Sequence, residues 1–397
     1  MSLKIETTSL ATGYAKGTDS YKTGEEAARK AKIKFGVKNS DLILVFMGTQ
    51  YNFPEVIKGI RSVTGTTPLI GCTTAGEFTE EIVGKGLAAV GMLSIPDSKI
   101  YVGIGQGLRK NRRNAIAQAR EGFPSHIDGY PYKSAVTLID GMAGQGEEAV
   151  EELLYALGTD TKFGGGAAGD DCKFKETWVF CNDKALTDAL TVALIFSKTP
   201  FGLGVKHGHT PATKPLFVTK SDGNIVKELN GRPAFEEWKE QMEPVAKKSG
   251  INLNTAPKDQ ISSFLLANEA GIVMGKEFKV RAPLQVNPDK SIQFACEIPE
   301  GLIIRGMSSE KEDQIKSAKE AAEIAVKNLG GKKASGGIIF DCICRSLYLG
   351  EDFKKAVDGI KETVKAPVIG FETYGEIMMV QGQLSGMHNT TTVAMVF

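Results

Sequence analysis

The residues best suited to chemistry lie in three short segments of similar form. Residues 68–77 read PLIGCTTAGE and residues 367–376 read PVIGFETYGE, with six of ten positions identical. A weaker copy, TKFGGGAAGD, occupies 161–170, keeping two glycines (Gly164, Gly169) and placing Asp170 where the others have glutamate. Two glycines five residues apart, with small residues between them, suit a strand end where backbone N–H groups face a ligand. The trailing acids Glu77 and Glu376 would then accept from a ligand amine. Arg345 and Arg281 each end an apolar run and could hold a carboxylate bidentately. The best-suited ligand is therefore an amino acid or similar metabolite. Its wall would be Gly370, Thr373, Tyr374 and Gly375 in one copy and Gly71 and Thr74 in another, with Cys342 and His388 nearby in sequence. A plainer reading stays open, in which the glycines permit tight turns and the acids cap free N–H groups.

Other motifs are weaker. Gly164–Gly169 satisfies G-x-G-x-x-G, but two aspartates and a strand-like Trp178–Phe180 follow, where a dinucleotide site needs a helix. His207 and His209 share a strand face with no third ligand at metal spacing. Cys342 and Cys344 do the same with no second cysteine pair. Cys342 could serve as a nucleophile with Arg345 lowering its pKa, but no base is in view. Neither H-E-x-x-H nor G-x-S-x-G occurs, so the chain is expected not to be an enzyme.

The elements that would position these residues repeat as well. Apolar runs Leu42–Met47, Ala135–Ile139 and Gly336–Phe340 read as strands, and Phe53–Val63, Glu147–Leu157 and Phe353–Val364 as amphipathic helices. Strands Leu87–Leu93, Ala189–Phe196 and Thr391–Phe397 follow the three glycine segments. The unit is thus strand, helix, strand, helix, glycine loop, strand. Continuous apolar strands followed by helices imply parallel crossovers, with the last strand turning back antiparallel. The expected fold is α/β with mixed sheets, built from three diverged units in two domains. The first domain is 1–200, with repeats at 1–95 and 96–200. The second is 201–397, with an insertion at about 201–297 and the third repeat at 298–397.

Composition bounds the partners. With 42% hydrophobic and 24% charged residues the chain can bury an ordinary core, and its net charge is +1. No basic stripe is present, which argues against nucleic acid or an anionic membrane as partner. No apolar run reaches a bilayer span, and no signal peptide is visible. Six scattered cysteines suit free thiols in a reducing cytoplasm.

The combined motifs resemble the FIST family. Pro68–Glu77 with its flanks is similar to the FIST N-terminal domain. His207-Gly208, Pro211, Leu216–Thr219 and Asn230-Gly231-Arg232-Pro233-Ala234 resemble the junction into the FIST C-terminal domain. Val280-Arg281-Ala282-Pro283, Phe340–Arg345, Gly370–Glu376 and His388-Asn389 resemble that domain's core. The resemblance implies a prokaryotic sensory module for small ligands, amino acids among them, acting through a downstream signalling protein such as a kinase. It also implies an alternative: haem-based sensing of nitric oxide through a histidine, here His207 or His388. On the first reading no cofactor is expected.

Overall fold

In a computed structural model of the chain, residues 9–36, 39–380 and 385–397 are described. The first unit holds β1 (Ser9–Ala15), α1 (Ser20–Phe35), β2 (Leu42–Met47), α2 (Phe53–Thr64), β3 (Leu69–Thr73), β4 (Glu77–Thr79), β5 (Val83–Gly84) and β6 (Ala88–Ser94). The second holds β7 (Lys99–Gln106), α3 (Leu108–Ala119), β8 (Tyr132–Ile139), α4 (Gly146–Leu157), β9 (Lys162–Ala167), β10 (Val179–Cys181), β11 (Lys184–Leu186) and β12 (Ala189–Ser197). The third begins with β13 (Gly202–Lys206), and an insertion follows. The insertion contains β14 (Thr210–Pro211), β15 (Leu216–Asp222), β16 (Ile225–Leu229), β17 (Arg232–Pro233), α5 (Ala234–Lys248) and α6 (Lys258–Ala267). It ends with β18 (Ala270–Met274), β19 (Glu277–Arg281), β20 (Pro283–Val286), β21 (Ile292–Phe294) and β22 (Ile303–Ser308). The third unit resumes with α7 (Lys311–Lys327), β23 (Gly337–Cys342), α8 (Ile343–Leu349), α9 (Phe353–Val364), β24 (Val368–Thr373), β25 (Glu376–Met379), β26 (Gly386–His388) and β27 (Thr392–Val396).

Strand β2 shows why the sequence takes this form. Its six residues are all apolar and all buried. Leu42, Leu44 and Phe46 point into a central core, whereas Ile43, Val45 and Met47 pack under α1 and α2. A strand covered on both faces needs no polar alternation. Asn52 accepts from the Glu55 N–H at 3.2 Å and starts α2, as Asp19 does for α1 through Lys22. Units two and three repeat the scheme: Val136, Leu138, Ile338 and Phe340 face the centre, and Ala135 and Ile339 face helices. The three sheets thus enclose one core, in which the Phe46 and Phe371 rings lie 4.6 Å apart.

The sheets interlock in a ring. Their orders are β1-β6-β2-β3-β10-β11, β7-β12-β8-β9-β25-β26 and β13-β27-β23-β24-β4-β5. Each unit sends the hairpin after its glycine loop to the edge of another unit's sheet: first to third, third to second, second to first. The final antiparallel strand is as expected, but the travelling hairpin is not visible in the sequence. The insertion forms its own sheet, β19-β18-β22-β15-β16-β21-β20, with β14 and β17 at its margins and with α5 and α6 packed on its core.

The exchange explains the repeated glycines. Gly71, Gly165 and Gly370 lie opposite Phe180, Ile377 and Phe78 of the incoming hairpins. A Cβ there would collide with the carbonyls of Val45, Thr137 and Ile339 on the parallel neighbour. These glycines allow close approach of backbones. They also correct the second copy. Gly48, Asp140 and Cys342 are equivalent, because their N–H groups donate to Leu87, Ala189 and Thr391 at 3.0, 2.9 and 3.1 Å. Counting back from them brings Val45, Thr137 and Ile339 into register with Gly71, Gly165 and Gly370. Gly165, not Gly164, therefore matches the other two, and Asp170 falls one place away from Glu77 and Glu376.

Candidate functional site

The third unit carries most of the residues singled out from sequence, and there they form a closed network. Cys342 ends β23 and Ile343 starts α8, so Cys344 and Arg345 sit on a helix and not on the strand expected for them. Arg345 is fully buried. Its Nε donates to Asp341 at 2.7 Å, Nη2 to the Gln314 carbonyl at 2.8 Å, and Nη1 to Ser317 Oγ at 3.0 Å and to Gln314 Oε1. Asp341 accepts in turn from Thr392 at 2.7 Å. The guanidinium is consumed by the fold. Glu376 accepts from Thr373 and from the Thr391 N–H and hydroxyl, at 3.1 and 2.7 Å. Glu77 repeats this with Thr74 and the Leu87 N–H at 2.8 Å. Burial pushes both carboxyls up to about 7. Both acids cap the chain where the last strand of their unit begins.

The second unit differs. Its loop acid Asp170 accepts from the N–H groups of Phe174, Lys175 and Glu176 at 2.9, 2.7 and 3.1 Å and from the Tyr374 hydroxyl. Burial opposes its charge, but these donors outweigh burial and hold it below the usual carboxylate range. At the carboxyl end of β8, small residues leave a cleft of 230 Å³. Gly141, Gly144 and Gly146 form one side, Gly223, Asn224 and Cys296–Glu297 of the insertion another, and Tyr374 and Met387 of the third unit close it. The N-terminal turn of α4 opens here with no side-chain cap, so its N–H groups and the positive end of the helix face the space. Burial, and then the neighbouring Glu148 carboxyl, raise Glu297 to about 7.

Arg281 builds the wall of this cleft. It donates to Glu147 at 2.8 Å and to the Met387 and Glu297 carbonyls at 3.0 and 3.3 Å. Lys279 reaches the other Glu147 oxygen at 2.7 Å, and Met387 N–H donates to Glu147 at 3.2 Å. One half-buried carboxylate thus ties α4, the insertion sheet and the β25–β26 hairpin together.

This interlocked arrangement coincides with two known domains: the profile of the FIST N domain matches residues 41–232 and that of the FIST C domain residues 234–379. The chain belongs to the FIST family. It is similar to an uncharacterised protein of Methanocaldococcus jannaschii, 23% identical over 325 residues, covering 75% of this chain. An uncharacterised protein of Mycobacterium tuberculosis H37Rv is 23% identical over 410 residues, covering 98% of this chain. The chain spans 59% of the archaeal relative's length and 99% of the mycobacterial one's.

The FIST-like motifs fall on both sides of the cleft and around the Arg345 network. The structure brings Tyr374 to the cleft and buries Arg281 behind its wall. Arg345, Glu376, Thr373, Gly370 and Gly375 lie in the third-unit interior, and Glu77, Gly71 and Thr74 lie at the equivalent place in the first. His388 sits on β26 opposite Glu376 and is fully buried. His207 follows β13, and burial lowers its imidazole to about 4, with the Lys206 charge adding. None of the clefts of 230, 460, 310 and 270 Å³ is lined by a histidine. Among the described residues, no group of three or more His, Cys, Asp or Glu could hold a metal, and no helix is long and apolar enough to cross a membrane.

Glu147, Glu148 and Glu297 escaped the sequence reading. The first two begin an amphipathic helix, where acids are common for dipole reasons. Glu297 lies in the insertion, outside the repeat. The run Gly141–Gly146, with three glycines before a helix, was the available signal.

Proposed function

We propose that this FIST protein is a sensor that binds a small amine-bearing metabolite, an amino acid being the best match, in the cleft at the carboxyl end of β8. The observation that carries the reading is that three separate parts of the chain meet there. Open α/β sheets take ligands outside the carboxyl ends of their strands, and 230 Å³ suits a small molecule. The uncapped turn of α4 would receive the carboxylate. Glu297 would receive the ammonium and release its proton. Because the walls come from both family domains, occupancy would favour one arrangement of the two, read by a partner such as a kinase in the cytoplasm.

A thermal-shift screen with the twenty amino acids at pH 7 tests this. A ligand at 100 times its Kd adds about 2.7 kcal/mol of stability. Glu297→Gln should abolish the shift, and calorimetry in two buffers should detect proton release. No shift with any amino acid would overturn the reading.

A further inference from the structure

One side chain, Met387, closes the cleft at the carboxyl end of β8, and it is held from two directions. Its N–H donates to Glu147 at 3.2 Å, and its carbonyl accepts from Arg281 at 3.0 Å. Gly386 makes that hold possible. Its φ is +114°, and a Cβ there would collide with the Glu147 carboxylate and the Lys279 ammonium. Acid and lysine therefore close on bare backbone. The Met387 side chain lies between two further glycines. A Cβ on Gly146, the first residue of α4, would collide with its sulfur, and a Cβ on Gly375 with its terminal methyl. The thioether is thus seated against the first turn of α4, at the edge of the cleft.

Most polar groups of the lining are already engaged by the protein. Asp140 accepts from Met142 and Thr177, Gln145 from Arg112 at 2.7 Å, and Glu147 from Lys279 and Arg281. Asn224 donates to the Phe294 carbonyl at 2.7 Å. The first turn of α4 and Glu297 remain for the two charged ends of an amino acid. To the rest of the ligand the lining offers Ile139, Tyr374, Met387 and Cys296, whose sulfur takes a hydrogen bond from Asn389 at 3.5 Å. A charged or amide side chain placed there loses water and gains no partner, whereas an aliphatic one gains burial.

We propose that the ligand is an amino acid with a short aliphatic side chain, and that Met387 sets how long that side chain can be. The proposal rests on the reading of this cleft as an amino-acid site. A space of 230 Å³ is smaller than the ~300–1,000 Å³ of pockets that hold drug-sized ligands. Valine and leucine fit there, and phenylalanine meets the thioether.

The test is calorimetric titration of the full-length protein at pH 7 with valine, leucine, phenylalanine, aspartate, asparagine and lysine. The parent should bind valine and leucine, and the other four at least about tenfold more weakly, the lower end of what one methylene decides in an apolar pocket. Met387→Ala removes the thioether and should improve phenylalanine at least about tenfold relative to valine. Gly375→Ala should act the other way. Gly375 is not left-handed, so alanine suits its backbone, and the new Cβ drives the Met387 methyl towards the open cleft. Leucine should then weaken at least about tenfold relative to valine. Ratios within one variant are compared, so a general loss of stability does not move them; if Met387→Ala does not fold, Gly375→Ala decides. Aspartate, asparagine or lysine binding as tightly as leucine, or a phenylalanine-to-valine ratio equal in parent and Met387→Ala, would overturn this proposal and leave the cleft an amino-acid site. Absence of a thermal shift with all twenty amino acids would overturn the site as well.

Discussion

The second and third units end their parallel strands in the same place and fill that place differently. After β23 the third unit presents Cys342-Ile343-Cys344-Arg345, and the Arg345 side chain fills the space and bonds Asp341, Gln314 and Ser317. After β8 the second unit presents Asp140-Gly141-Met142-Ala143-Gly144, and a cleft remains. Asp140 spends its oxygens on the fold, accepting from the Met142 N–H at 2.9 Å, from the Asp188 N–H and from Thr177. Copies of one unit can therefore share a topology while one fills its strand end and another keeps an opening there. Repetition marks the scaffold, and side-chain volume decides where a ligand fits.

The largest expected effect strikes the filled end. Arg345→Met leaves Asp341 buried without its partner, and breaking a buried pair from one side costs about 3–5 kcal/mol. Urea unfolding should show that loss, and adding Asp341→Asn should recover much of it. Glu297→Gln at the open end should leave stability at pH 5 nearly unchanged. If Arg345→Met is as mild as Glu297→Gln, the contrast between a structural end and a binding end is wrong.

A mid-sized effect comes from pH. Glu77 and Glu376 titrate near 7 and Glu372 near 8 in the folded chain, in each case mainly because of burial. An unfolded glutamate titrates at about 4.3. The folded state therefore binds more protons than the unfolded state between those values, and stability falls as pH rises from about 5 to 8. Thermal unfolding across that range should show the decline. Glu376→Gln should make the curve shallower, and a parent curve that rises towards pH 8 would break the assignment.

Much of this scaffold is legible in the sequence, for a physical reason. Strands such as Leu42–Met47 are apolar throughout because both faces are covered, and the helices show one apolar face. The exchanged hairpins are not legible. β4 and β5 are short, they flank the polar turn Glu80-Glu81, and their partner β24 lies nearly three hundred residues away, as the Val368 N–H to Glu80 bond at 3.2 Å shows. The one-residue shift in the second copy is hidden because Gly164, Gly165 and Gly166 are identical in type. Loop acids and arginines look alike whether they meet a ligand or a neighbour, so Arg345 reads as a ligand clamp until its partners are seen. The Glu147–Met387 bond joins residues 240 apart, beyond any local motif.

The smallest effect sharpens the comparison from the open side. Glu297 titrates near 7 beside the acid Glu148, so above pH 7 its own carboxylate is pressed against that neighbour, whereas at pH 5 Glu297 is protonated. Glu297→Gln should then raise the thermal midpoint at pH 8 and leave it unchanged at pH 5. Glu297 is partly exposed, so solvent screens the repulsion and the gain should stay below about 1 kcal/mol. A saturating amino acid should stabilise the parent at pH 8 and leave the variant unchanged, because an ammonium at Glu297 relieves a repulsion that the variant lacks. If the ligand stabilises parent and variant equally, the ammonium does not sit at that pair, and only the helix N-terminus remains to explain the binding.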